Sequence, residues 1–203
     1  TITMAALIGG LTLLNSQLFA ISPLDYLPWI AIGFLGWNFI ATGLIEGADT
    51  FIAATGILRQ ASIPMMVFVY RVLLRNLIYF GHNLVVIVAA ALIFGFWSKA
   101  NIPLGLLGLV LITINIGWAV IILGVTSARF RDVPQIVVSV MQLALFMTPV
   151  FWLPSKLSQH RIILEMNPFY YMLDVLRSPL IGQPLDPKTY PVLITAAILG
   201  WIA

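Results

Sequence analysis

Cysteine is absent from the chain, so disulfide bonds and thiol chemistry are excluded. Charge is scarce as well. Only 8% of the 203 residues are Asp, Glu, Lys or Arg, and the net charge is +3. A basic balance this weak and scattered gives no support to nucleic-acid binding. Histidine is limited to His82 and His160, with no HExxH, which leaves too few ligands for a zinc centre. No GxSxG occurs, and no serine sits in the context of an intramembrane protease dyad. Lys99, Lys156 and Lys188 all lack the glycines that cradle phosphate in GxxxxGK[ST]. Any ATP this protein uses is therefore bound by another chain.

What remains is apolar: 61% of the residues are hydrophobic and the mean hydropathy is +1.05. A soluble domain of this length needs far more polar surface to cover its core. With lipid as solvent, backbone groups must be satisfied within the chain, which leaves helices or a closed barrel. A barrel alternates polar and apolar residues in segments of about 10 residues. Here the apolar runs are continuous and close to the ~20 residues of a helical span. The expected fold is an all-α polytopic membrane protein forming one transmembrane domain over 1–203.

Six apolar segments are expected. The first covers 1–20 and ends before SPLDYLP, where Pro23 and Pro28 break helix and Asp25 favours a loop. The second runs from Trp29 to Ile45 and stops at Glu46–Asp49; FIAATGILRQASIP, up to Pro64, then reads as an interfacial helix. The third starts near Met65, with its hydrocarbon portion at Leu77–Phe96, and Arg71 and Arg75 share one face and snorkel to headgroups. The fourth spans Pro103–Thr126, the fifth Val133–Leu153 with Pro134 in its first turn, and the sixth begins near Tyr190. Stretch 154–188 reads as short helices at the membrane boundary, or dipping in and returning, with Trp152, Phe169, Tyr170 and Tyr171 suited to an interfacial belt. Thr1 and Ala203 both lie inside apolar runs, so a preceding segment and the end of the last span are expected beyond this sequence.

All seven acids (Asp25, Glu46, Asp49, Asp132, Glu165, Asp174 and Asp186) are expected in loops or at helix ends. Spans free of carboxylates argue against proton-coupled antiport and against a channel with acidic rings. His82, alone within the third segment, reads as a packed, hydrogen-bonded residue. Gly33, Gly36, Gly43, Gly105, Gly108, Gly117 and Gly124 allow close helix packing. With six passes, Arg59, Arg71, Arg75, Arg129 and Arg131 share one side, and their concentration in short loops and helix ends places that side in the cytoplasm. SARFRDVPQ, residues 127–135, is then a cytoplasmic loop, with Asp132 capping the fifth helix near Pro134.

The order of these pieces carries a resemblance. ATGILRQASIP, VYRVLLRNLIY, SARFRDVPQ, TPVFWLP and NPFYYMLDVLRSPLIG, at this spacing along six spans, resemble the membrane subunit of bacterial ABC exporters for surface polysaccharides. Members of that family serve O-antigen, capsule and teichoic acid. The resemblance implies an inner-membrane, multi-pass permease, not an enzyme, that pairs with a second copy of itself. Two ATPase subunits bind ATP and Mg, so no cofactor belongs to this chain, and the substrate is a lipid-linked polysaccharide. It also implies an ATPase-coupling role for Glu46, Asp49, Arg59 and Gln60, with Arg129, Arg131 and Asp132 beside them. Segment 154–180 becomes a pair of extracytoplasmic gate helices. Phe146, Phe151, Trp152, Asn167, Pro168, Phe169, Tyr170 and Tyr171 are the candidates for the channel exit, with Arg177 as the gate anchor, paired with Asp174 or a backbone carbonyl. A lipid-facing aromatic belt is the alternative for those rings, and a headgroup-level arginine for Arg177. Two other functions are compatible with the composition: an ABC permease for a drug or small lipid, and a membrane transferase acting on lipid-linked glycan.

Overall fold

The computed structural model describes residues 2–19, 22–60, 62–95, 100–153 and 164–202. Among them all regular structure is helical: α1 (Ile2–Phe19), α2 (Pro23–Ala53), α3 (Thr55–Gln60), α4 (Met66–Phe94), α5 (Ile102–Arg129), α6 (Val133–Met147), α7 (Pro168–Ile181) and α8 (Thr189–Ile202). Three helical stretches are long and apolar enough to cross a membrane: Tyr26–Gln60, Met66–Phe94 and Ile102–Arg129. The apolar helices Ile2–Leu14, Val133–Met147 and Thr189–Ile202 are shorter. At 1.5 Å per residue α6 rises about 22 Å, less than the ~30 Å of a hydrocarbon core.

Helix α2 is the axis of the bundle, packing against α1, α4, α5, α6 and α7, while α5 packs against α4, α6, α7 and α8. Glycine sets how closely they approach. A Cβ on Gly43 would meet Ile116 at 3.0 Å, one on Gly47 would meet Val120 at 2.5 Å, and one on Gly124 would meet Phe51 at 2.7 Å. Steps of four on both chains make α2 and α5 parallel neighbours, their i±4 ridges interlocked through glycine notches. All seven glycines read from the sequence as packing positions lie within van der Waals reach of another element. Helix α4 runs antiparallel to α2: Phe39 stacks edge-on with Phe80 at 5.2 Å, and Arg75 reaches back to Glu46 at 2.6 Å.

Asparagines bind the spans where lipid offers no partner. Asn76 Nδ2 on α4 donates to the Phe39 carbonyl on α2 at 2.7 Å. Asn115 Nδ2 on α5 donates to Leu193 of α8 at 3.1 Å, and its Oδ1 accepts from Trp118 at 3.2 Å. Each such bond satisfies a group that hydrocarbon would leave bare.

Several expected boundaries are corrected. Pro23 starts α2 instead of preceding it, since its missing N–H falls among the unpaired donors of a first turn. Pro28 lies inside the same helix, where it removes a single intrahelical bond. Glu46–Asp49 does not end the second segment; the helix continues to Ala53 and only a turn at Ala54 separates it from α3. Glu46 is neutralised by Arg75, and Gly47 fills a packing notch, so neither breaks the helix. The fourth segment extends through Arg129, which reduces the 127–132 loop to a turn at Phe130–Asp132. The fifth stops at Met147, six residues early, because Pro149 forces Thr148 into extended backbone (ψ 139). His82 is exposed on α4, not packed.

Candidate functional sites at the two ends of the bundle

The parallel course of α2 and α5, with α4 antiparallel, brings Glu46–Gln60, the start of α4 and the end of α5 to one end. Glu46 and Asp49 occupy successive turns of α2, Arg59 and Gln60 close α3, Arg129 ends α5, and Arg131 and Asp132 form the following turn. Of the sequence-derived candidates at this end, only Glu46 is engaged in an ion pair among the described residues. It holds Arg75 at 2.6 Å, which braces Arg75 to α2. Asp49, Arg59, Gln60, Arg129, Arg131 and Asp132 are exposed. Asp132 occupies the N-cap position of α6 with helical dihedrals (φ −84, ψ −15) and forms no side-chain cap, contrary to the expected role. Between α2, α3 and α4 lies a cleft of about 310 Å³ whose charged lining is Glu46, Asp49, Arg71 and Arg75.

The opposite end is built around the turn that follows α6. Arg177, 1% exposed, donates from Nη1 to the Pro149 carbonyl at 2.6 Å, and its guanidinium lies 3.4 Å from the centroid of the Trp29 ring. Gly33 allows this: a Cβ there would sit 3.4 Å from the guanidinium and 3.3 Å from the Val150 carbonyl. Tyr26 donates its hydroxyl to the Phe151 carbonyl. Asn167 caps α7 by accepting from Phe169 N at 3.0 Å, while its amide donates to Thr148 Oγ1 at 2.9 Å. Side chains from α2 and α7 thus pin successive positions of one proline-containing turn.

Asp174 does not pair directly with Arg177, although its charge lies one helical turn away and compensates the buried cation. Its carboxylate accepts from Ser178 at 2.5 Å, Thr189 at 2.6 Å and the Asp186 backbone at 3.2 Å. That network fixes the α7–α8 connection, which leaves α7 through Gly182 in the left-handed region (φ 70). Lys188 closes the same connection on Glu165 at 2.9 Å, a hydrogen bond and ion pair that hold its ammonium above the ordinary lysine range. A cleft of about 290 Å³ lies between Trp29, Tyr170, Arg177 and the 183–187 loop.

The exit candidates divide. Phe151, Trp152, Asn167, Pro168, Phe169, Tyr170, Tyr171 and Arg177 gather at this end, with Phe34 and Phe151 ring centroids 6.0 Å apart and Trp37 edge-on to Phe169 at 5.8 Å. Phe146, near the end of α6, accepts at its carbonyl from the Trp152 indole at 3.2 Å but is itself 71% exposed. Tyr171 is buried, its hydroxyl donating to the Glu165 carbonyl at 3.0 Å. Helix α7 is buried within the bundle through 171–179. Positions 154–163, with Lys156, His160 and Arg161, lie outside the described residues, as does Lys99. Sequence reasoning missed Tyr26, Trp29, Thr148 and Thr189, and gave Asp174 too small a part. The signal for Asp174, Arg177 and Ser178 was their i, i+3, i+4 spacing on one apolar helix.

No protein-family model matches the chain. It is 24% identical over 179 residues to the O-antigen export system permease protein RfbA of Myxococcus xanthus, covering 85% of this chain and 68% of that protein. Three of this chain's helices are long and apolar enough to cross a membrane, which fits a helical membrane protein.

Proposed function

We propose that the chain is the transmembrane subunit of an ATP-driven exporter. It moves a lipid-linked polysaccharide of O-antigen type across the bacterial inner membrane, as a homodimer with separate ATPase subunits. The observation that carries this is the similarity to an export permease along 85% of the chain. The sequence has no phosphate-cradling loop, which fits ATP hydrolysis by a partner. On this reading α1, α2, α4, α5, α6 and α8 are the six passes, the shorter ones completed by flanking residues, tilt or local thinning of the bilayer.

The two ends supply the two functions such a subunit needs. Exposed charge on Glu46–Gln60 and Arg129–Asp132 offers a partner ATPase polar contacts that need no desolvated apolar patch. At the other end, Phe151, Trp152, Phe169 and Tyr170 offer rings on which sugar faces stack. A pathway without fixed membrane charge holds a polymer weakly at many points, which permits passage. Co-purification with a candidate ATPase, followed by ATP hydrolysis with and without lipid-linked glycan, tests the reading. Stimulation by the glycan is expected. A stable chain that recruits no ATPase and responds to no glycan sinks it.

A further inference from the structure

The cleft at the Glu46 end holds two acids and two bases, Glu46, Asp49, Arg71 and Arg75, so its net charge is zero. Glu46 and Arg75 neutralise each other at 2.6 Å. Asp49 and Arg71 are both exposed and, among the described residues, neither makes an ion pair. One acid and one base thus face a common cavity of about 310 Å³ without closing on each other. Its remaining walls are Thr50, Ala53, Ala54, Ile57, Phe68 and Val72.

The surroundings select the occupant. Val67, Leu74 and Ile78 are 49%, 61% and 70% exposed, and their spacing puts them in one stripe on α4 beside Arg71. Ile57 on α3 is 45% exposed at the mouth of the cleft. A water-soluble partner explains the charges and leaves the stripe bare. A phospholipid explains both, with its headgroup in the cleft and its acyl chains running on from Arg71 along Leu74 and Ile78. Balanced charge disfavours a purely anionic headgroup, which Asp49 repels. A choline headgroup carries the right charges but has no N–H for a carboxylate.

We propose that this cleft is a binding site for a zwitterionic phospholipid with a primary amine. The phosphate sits on the Arg71 guanidinium and the ethanolamine ammonium on the Asp49 carboxylate. Both contacts are charge-assisted hydrogen bonds formed where headgroups lie, and only the ammonium contact tells ethanolamine from choline. The proposal needs the membrane location alone and does not depend on the transport reading.

The test is native mass spectrometry of the full chain, purified without any ATPase and exchanged into mixed micelles. These carry equal phosphatidylethanolamine, phosphatidylcholine and phosphatidylglycerol of matched acyl chains. Wild type retains phosphatidylethanolamine over phosphatidylcholine by about tenfold, the size of one charge-assisted contact. Asp49→Asn brings that ratio to near one while phosphatidylglycerol retention rises, because the cleft gains a net positive charge. Arg71→Gln lowers retention of all three. Equal retention of the amine and choline lipids by wild type, or an unchanged ratio in Asp49→Asn, overturns the proposal. So does a wild type retaining no phospholipid whose Asp49→Asn and Arg71→Gln variants lose ATPase binding, which assigns the cleft to a protein contact. Asp49 is exposed and its variant leaves the fold intact, so it decides alone if Arg71→Gln yields too little protein.

Discussion

At one end of the bundle Arg177 is 1% exposed and Asp174 5%. Arg177 donates from Nη1 to the Pro149 carbonyl, though its buried Nε has no partner among the described residues. Asp174 accepts from Ser178, Thr189 and the Asp186 backbone. At the other, Arg59, Arg71, Arg129 and Arg131 are exposed, and the Glu46–Arg75 pair is open to solvent on both sides. The same few residue types therefore do two different jobs. Buried charge forces its surroundings to supply partners in fixed geometry, which specifies how α2, α6 and α7 meet. Exposed charge specifies almost nothing within the chain and stays available to something outside it. The Arg177 end is held by contacts within the chain; the Glu46 end leaves most of its charges exposed.

The most forceful way to break this contrast is Arg177→Ala. It strips the Pro149 carbonyl of its donor, unstacks Trp29, leaves a cavity and removes the compensation for Asp174. A loss of about 3–5 kcal/mol is expected, read as a sharp fall in detergent thermal stability or in folded yield. Arg177→Lys keeps the charge but not the planar fork over the indole, so it recovers only part of the loss. If Arg177→Ala melts with wild type, the buried end is not the rigid one.

Glycine gives a second, smaller probe of the same contrast. A Cβ on Gly108 runs into the Val175 backbone of α7, which cannot yield as a side chain can. Gly108→Ala is expected to cost about 1–3 kcal/mol through helix displacement. Gly56, on α3 at the other end, has no neighbour within 4 Å, so Gly56→Ala is neutral or gains up to about 1 kcal/mol of helix propensity. Equal thermal shifts for the two would erase the difference in packing. Glu46→Gln comes next in size. Its ion pair with Arg75 is solvent-screened, so about 1 kcal/mol or less is expected, seen as a small thermal shift.

The apolar segments were legible because hydropathy acts over about 20 residues and lipid enforces it. The sidedness of Arg59, Arg71, Arg75, Arg129 and Arg131 was legible as well, since helix parity alone puts them together. Boundaries failed where a local signal met a tertiary partner. Glu46–Asp49 looks like a helix end until Arg75 lies opposite Glu46, and Pro28 looks like a break until α2 has begun at Pro23. The Arg177 cluster was half legible: a backbone carbonyl was one of the two partners expected for this arginine, Asp174 being the other, and the carbonyl is the one it takes. Which carbonyl it takes, and that Trp29 lies beneath it, depends on contacts 28 and 148 positions apart in the chain. No local pattern carries that information.

The smallest effect on the fold is expected at SARFRDVPQ, and it separates two uses of exposed charge. Arg129 lies 6.0 Å from the Phe130 ring and, like Arg131, forms no ion pair among the described residues. Replacing both with Gln should move stability by no more than about 0.5 kcal/mol, as for surface positions generally. If these arginines touch an ATPase, glycan-stimulated ATP hydrolysis by the assembled complex falls several-fold while the amount of inserted chain is unchanged. If they serve only to retain positive charge on one side, less chain is inserted, and what is inserted couples normally. Measuring insertion and stimulated hydrolysis on the same preparation separates the two. Equal hydrolysis per inserted chain in variant and wild type would remove the turn from the coupling surface and leave it to Glu46–Gln60.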